Sequence, residues 1–195
     1  MSRKLEHATI GSVSTACIAT ISPARRFVSF VSEREETMGV IDKRVVNIDA
    51  LKLEHFEKGD AFAADYARVG KLLGAKDLGY SYDVVPPGKR ACPFHSHRGE
   101  EEMFFILRGT GTLRYGDETR KIRAGDVICC PTGGPETAHQ IVNDSDAELA
   151  YLSISTMMPA EICEYPDSGK VGGFAEGFRH MTRREQQLDY WMGEI

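Results

Sequence analysis

From Leu78 onward the chain alternates. Tyr80, Tyr82 and Val84 are separated by small or polar residues, a period of two that puts them on one face of a strand, and Pro86-Pro87-Gly88 ends it. The same pattern returns at Glu102–Leu107, Thr112–Tyr115, Thr119–Ile122, Val127–Cys130, Gln140–Val142 and Leu149–Thr156. Gly116-Asp117 between two of these runs predicts a hairpin. Strands this short and regular predict a single all-β barrel. Upstream, Val45–Ile48 reads as a short strand. Residues 61–73 stay open: Phe62, Tyr66, Val69 and Leu73 have helical spacing, whereas Gly70 and Gly74 argue for strand and turn pieces. Past Met157 the alternation stops. Tyr165–Gly169 is a turn cluster, and Gly172, Gly173 and Gly177 predict an irregular stretch. Thr182-Arg-Arg-Glu185 has the form of a capping box and predicts a short helix through Tyr190, with Tyr190 and Trp191 packing the tail down.

Two runs carry chemistry. In the first, His95 and His97 lie two apart, so a strand puts both rings on one face about 6.6 Å apart at the backbone. Imidazoles at that spacing can converge on an ion about 2.1 Å from each nitrogen. Arg98-Gly99-Glu100 reads as a turn, and a hairpin there folds a carboxylate back beside the rings. Glu100, Glu101 and Glu102 are all available; spacing to Gly109 favours Glu102, and alternation then sends Glu101 to the other face. The second run, Gly125 to Asn143, brings His139 from far along the chain. If the runs pair in space, three imidazoles and one carboxylate surround one divalent ion. A lone strand histidine is ordinarily a packing residue, but three with a carboxylate at these offsets form a mixed nitrogen and oxygen set suited to such ions.

Composition narrows the function classes. At 195 residues the chain can bury one core with extensions, and 42% hydrophobic with 27% charged residues is ordinary for a globular protein. A net charge of −5 argues against broad nucleic-acid binding. No apolar run reaches the roughly 18 residues of a membrane helix. The five cysteines, Cys17, Cys92, Cys129, Cys130 and Cys163, form no disulfide framework, so a reducing, cytoplasmic setting is expected. Of Cys129 and Cys130, adjacent on a strand, one should face the interior.

The two runs together resemble the two cupin motifs. Gly88, His95, His97, Glu102 and Gly109 match the first, and Gly125, Pro131, Gly133, His139 and Asn143 the second, with an extra residue before His95 and a longer gap from Gly133 to His139. The resemblance covers about residues 78–156. It implies a jelly-roll β-barrel, with His95, His97, Glu102 and His139 as metal ligands and one divalent ion (Fe, Mn, Zn or Ni) as cofactor. Further stretches, among them Gly-Gly-Pro-Glu-Thr-Ala-His and Glu-Tyr-Pro-Asp-Ser-Gly-Lys, look like a group of small bacterial single-domain cupins described as sugar-phosphate isomerases. The resemblance implies a metal-dependent isomerase or dioxygenase-type enzyme acting on a small sugar, sugar phosphate or carboxylic acid. The alternative is a metal-binding and small-ligand-binding module without catalysis.

Around that site the sequence offers three substrate-binding candidates. Arg90, two residues past Gly88, can point at the barrel mouth and clamp a carboxylate or phosphate. Tyr80 and Tyr82 can donate hydrogen bonds into the pocket. A solvated arginine and core aromatics are the plainer alternatives. Glu136 and Thr137 can orient His139. Residues 1–37, basic and rich in Ser, Thr and Ala at their start, are expected to be an extension outside the core, with the domain in 38–195. They admit three readings: a targeting segment, a tail, or residues upstream of a true start at Met38. A homodimer is expected, with Val45–Phe56 covering an open sheet edge.

Overall fold

The computed structural model describes residues 44–194, so the expectations placed on residues 1–37, and Cys17, lie outside the described residues. The strands are β1 (Glu54–Lys58), β2 (Phe62–Ala67), β3 (Leu78–Val85), β4 (Ser96–His97), β5 (Glu102–Arg108), β6 (Thr110–Tyr115), β7 (Glu118–Arg123), β8 (Val127–Cys130), β9 (His139–Val142), β10 (Leu149–Thr156), β11 (Ala160–Tyr165), β12 (Lys170–Ala175) and β13 (Phe178–Arg183). One short helix, α1 (Val69–Leu73), follows β2.

One sheet has six strands in the order β1-β2-β3-β10-β5-β8. Opposite it run a meander, β13-β12-β11-β4, and a triplet, β7-β6-β9. A strand-like bridge joins these two. His95 and His139 exchange both backbone hydrogen bonds, His95 N–H to His139 O at 3.2 Å and His139 N–H to His95 O at 2.7 Å. The main core lies between the layers and draws on both: Phe104, Ile106, Ile128, Leu149 and Tyr151 from one, Leu113, Ile122 and Ile141 from the other. Burying each such side chain stabilises the fold by roughly 1.5–3 kcal/mol. Gly109 makes the β5–β6 turn possible. Its φ is +83°, and a Cβ there would sit 2.3 Å from Glu148 O, which no other residue tolerates.

The barrel strands follow the alternation, and the Gly116-Asp117 hairpin links β6 and β7 as expected. Three readings need correction, and one left open is resolved. Val45–Ile48 is not a strand; Asn47 Oδ1 accepts the Asp49 N–H at 2.8 Å and caps a 3-10 turn over Ile48–Ala50. Residues 61–73 divide into strand and helix, β2 then α1, and Gly74 ends the helix. The glycine-rich stretch after Tyr165 is ordered as β12 and β13. The expected helix from Thr182 through Tyr190 is a 3-10 turn over Arg184–Gln186; Tyr190 and Trp191 pack on each other but remain exposed.

Candidate metal centre

The residue two before each histidine decides how two of the rings sit. His95 Nδ1 lies 2.8 Å from Pro93 O and His139 Nδ1 lies 3.2 Å from Thr137 O. A carbonyl can only accept, so Nδ1 carries the proton in each neutral ring and Nε2 keeps its lone pair. His97 is held differently: its Nδ1 faces Cys163 Sγ at 3.4 Å and Glu161 Oε1 at 3.6 Å, both from β11. All three Nε2 atoms turn to a single oxygen. Glu102 Oε2 is 2.8 Å from His139 Nε2 and 3.4 Å from Nε2 of both His95 and His97.

The strands explain the convergence. β4 carries His97, and the backbone exchange with His139 fixes His95 beside it. Glu102 opens β5 on the face that carries Phe104 and Ile106, so the pleat aims its carboxylate inward. Glu101 is exposed. Glu100 is buried, and its Oε1 accepts the Met158 N–H at 3.0 Å. Of the three consecutive acids, Glu102 is the one at the centre.

The four side chains belong to residues no more than 2% exposed. Ligand atoms around one ion at right angles are about 3 Å apart when each lies about 2.1 Å from it; the distances to Glu102 Oε2 run from 2.8 to 3.4 Å, the ligand atoms of His95, Glu102 and His139 all lie within 4.8 Å of one another, and His97 also forms a second such group with Glu161 and Cys163. His97 Nε2 and Glu102 Oε1 are buried without a hydrogen-bond partner, a state that costs roughly 1–3 kcal/mol per group. Bound metal would satisfy the His97 Nε2 lone pair, so the residues present fit a divalent ion. Where metal is absent, protons take its part. Burial alone would lower His95, but Cys92 and the Glu102 carboxylate outweigh it and raise the imidazole to about 10. His97 rises in the same way, against burial, chiefly through Glu102. Despite its burial, Glu102 is held well below the usual carboxylate range, by His97 first. Burial pushes the Glu100 carboxyl up.

Three thiols stand by the candidate ligands; the sequence pointed to one inward member of the Cys129-Cys130 pair but not to Cys92 or Cys163. Cys92 neighbours His95, Cys163 faces His97, and Cys130 pairs across β8 with Glu102. Cys130 is the inward member of its pair and Cys129 the exposed one. Burial raises the Cys130 thiol.

The other candidates lie elsewhere. Tyr80 and Tyr82 do not line the site: they face outward from β3, in a cluster with Val69, Leu73 and Leu152, and the Tyr82 hydroxyl accepts from Arg108 at 2.9 Å. Their strand turns Ser81 and Asp83 inward instead, where Asp83 accepts from the Ser81 and Ser153 hydroxyls at 2.7 and 2.9 Å. Arg90 places its guanidinium over the Phe62 ring, 5.6 Å from its centroid. Thr137 orients His139 by its backbone, not its hydroxyl, and Glu136 instead accepts the Gly134 N–H. Asn143, last residue of the second motif, is a loop clamp that donates to Val85 O and Ala147 O.

Comparison with known proteins bears on the fold. The cupin domain family matches residues 81–155. An oxalate-binding protein from Thermotoga maritima is 34% identical over 74 residues, 38% of this chain and 58% of that protein. The chain thus spans little more than half the length of the curated relatives it matches. Among solved structures, a protein provisionally named a sugar phosphate isomerase, from Acidithiobacillus ferrooxidans, superposes with a TM-score of 0.71 at 24% identity, over 76% of this chain and 97% of its own. A cupin-superfamily sugar phosphate isomerase from Silicibacter pomeroyi gives 0.65 at 21% identity, over 75% and 97%. At such identities the likeness is one of fold. Among the described residues no helix is long and apolar enough to cross a membrane. Residues 81–155 of this chain thus match the cupin domain family, and the barrel built on them has the fold of these solved structures.

Proposed function

We propose that the protein binds one divalent ion through His95, His97, Glu102 and His139 and uses it on a small anionic substrate, a carboxylic acid or a sugar phosphate. The observation that carries this reading is the convergence of three imidazole Nε2 atoms on one Glu102 oxygen, at 2.8, 3.4 and 3.4 Å. Three nitrogens and one oxygen leave two positions of an octahedral ion for ligand oxygens. When bound, the ion supplies a Lewis acid for a carbonyl or carboxylate oxygen. The chain's part is to hold the rings with their lone pairs inward and to keep bulk water out. The names of the oxalate-binding and sugar phosphate relatives support the substrate class.

A second reading, ligand binding without turnover, is favoured by the near-complete burial of all four candidate ligands. We also propose a homodimer in a cytoplasmic setting. Calorimetry on the metal-loaded chain tests the function, with oxalate and a pentose phosphate as probes. Binding that disappears on chelation is expected. Turnover of the bound compound, followed by proton NMR, separates enzyme from binding module. Equal binding with and without metal contradicts both readings.

A further inference from the structure

Beyond the matched cupin domain, β11 lays three side chains at every second position against the candidate ligands. Glu161 and Cys163 face His97 Nδ1 at 3.6 and 3.4 Å, and the Tyr165 ring stacks on His95 with centroids 6.3 Å apart and planes 28° apart. β11 is fixed to β4 by strand pairing, Cys163 opposite His97 and Glu164 opposite Ser96. The Glu161 carboxylate is itself clamped: Arg98 N–H donates to Oε1 at 2.8 Å and Gly99 N–H to Oε2 at 2.9 Å. A Cβ at Gly99 would lie 2.7 Å from Glu161 Oε2, so the turn residue and the carboxylate are fitted to each other. On the other face of the strand, the Arg98 guanidinium grips Glu164 through Nε at 2.7 Å, and Arg184 from beyond β13 takes the second oxygen at 2.6 Å. Glu164 is buried between these two cations, which latch the meander to the turn after His97.

We infer that β11 is the positioning wall of the metal centre, with Cys163 and Glu161 holding His97 so that Nε2, and not Nδ1, meets the ion. The inference rests on the metal reading proposed above. Its physical ground is the difference among the rings. His95 and His139 each have a carbonyl two residues upstream, whereas the only partners that set His97 Nδ1 among the described residues come from β11. A sulfur acceptor at 3.4 Å lies within hydrogen-bonding range, while 3.6 Å to a carboxylate oxygen is too long for a direct bond. Cys163 is therefore the hydrogen-bond partner, and Glu161 the charge that keeps the proton on Nδ1. Groups of this kind orient metal-bound imidazoles, and removing one lowers metal affinity about 10–100-fold.

The test uses the full chain loaded with cobalt(II), read by its visible absorption spectrum and by chelator competition. Cys163→Ala and Glu161→Gln should each weaken cobalt binding by about 10–100-fold and shift the absorption bands. Cys163→Ser, which keeps an acceptor, should recover part of the affinity. Phe174→Leu, in the same small apolar cluster as Cys163, serves as a packing control: melting should fall while affinity and spectrum stay. Wild-type affinity and spectrum in both Cys163→Ala and Glu161→Gln, with His97→Ala losing the metal, would overturn the positioning role and leave the metal reading standing. Retention of cobalt by His97→Ala would overturn both.

Discussion

His95 and His139 are oriented by their own backbones; His97 is oriented by side chains 64 and 66 residues away. The first two rings lean on carbonyls two residues upstream and sit opposite each other across a pair of main-chain hydrogen bonds. No side-chain substitution deletes those acceptors. His97 depends on a strand that the cupin match does not reach. One centre is therefore built by two routes, one local and robust, the other tertiary and open to change.

The largest effect expected is at the carboxylate that all three rings share. Glu102→Ala should abolish detectable metal uptake, because every Nε2 loses its common partner; uptake above a hundredth of the wild-type affinity would break the picture of one centre. His95→Ala or His139→Ala should each cost more than about a hundredfold, beyond the range of an orienting group. Equal losses from His95→Ala and Cys163→Ala would erase the distinction between ligand and positioner.

pH acts on the same groups in protein stripped of metal. His95 is raised from its ordinary 6.5 to about 10, so its contribution to stability is full below about pH 6.5 and is lost as pH climbs toward 10. Glu102 is held below its ordinary 4.5, so its contribution is present above about pH 4.5 and is lost as pH falls further. Urea midpoints of chelated protein should peak between those values and decline on the alkaline side. Metal uptake should release protons, and loaded protein should lack the alkaline decline. A flat profile for the stripped protein would contradict the proton-for-metal exchange.

The smallest effects separate backbone from side chain. Thr137→Ala removes the hydroxyl that donates to Gly134 O but keeps the carbonyl facing His139. Metal affinity should stay within about twofold. Tyr82→Phe should cost about 1 kcal/mol of stability by removing an acceptor from Arg108, with metal binding unchanged. A metal defect in Tyr82→Phe would return that residue to the site.

The convergence of the four side chains was legible because it is written in their spacing. His95-x-His97, a turn and then a carboxylate at the head of an apolar strand leave few ways to fold other than together. Tyr80 and Tyr82 misled because alternation reveals a shared face but not which face is inward; here the outer face is also covered, by α1 and Leu152, while Ser81 and Asp83 go inside. β11 was hidden because its pattern is inverted. It buries Glu161, Cys163 and Glu164 and leaves Ile162 half-exposed, so a rule that sends apolar residues inward reads no strand. The glycines of β12 looked irregular, yet Gly172 lies under Phe174 and Met181, whose side chains leave no room for a Cβ. The predicted terminal helix failed because Gln186, not Glu185, reaches back, its Oε1 accepting the Arg183 N–H at 3.2 Å, and only one turn follows.

The central claim, that one ion is held jointly by these four side chains, meets its most direct test in elemental analysis of purified full-length protein. Wild type should carry about one divalent ion per chain, and the His97→Ala, His139→Ala double variant close to none, with circular dichroism reporting a folded barrel in both. Full occupancy in the folded double variant would contradict the account.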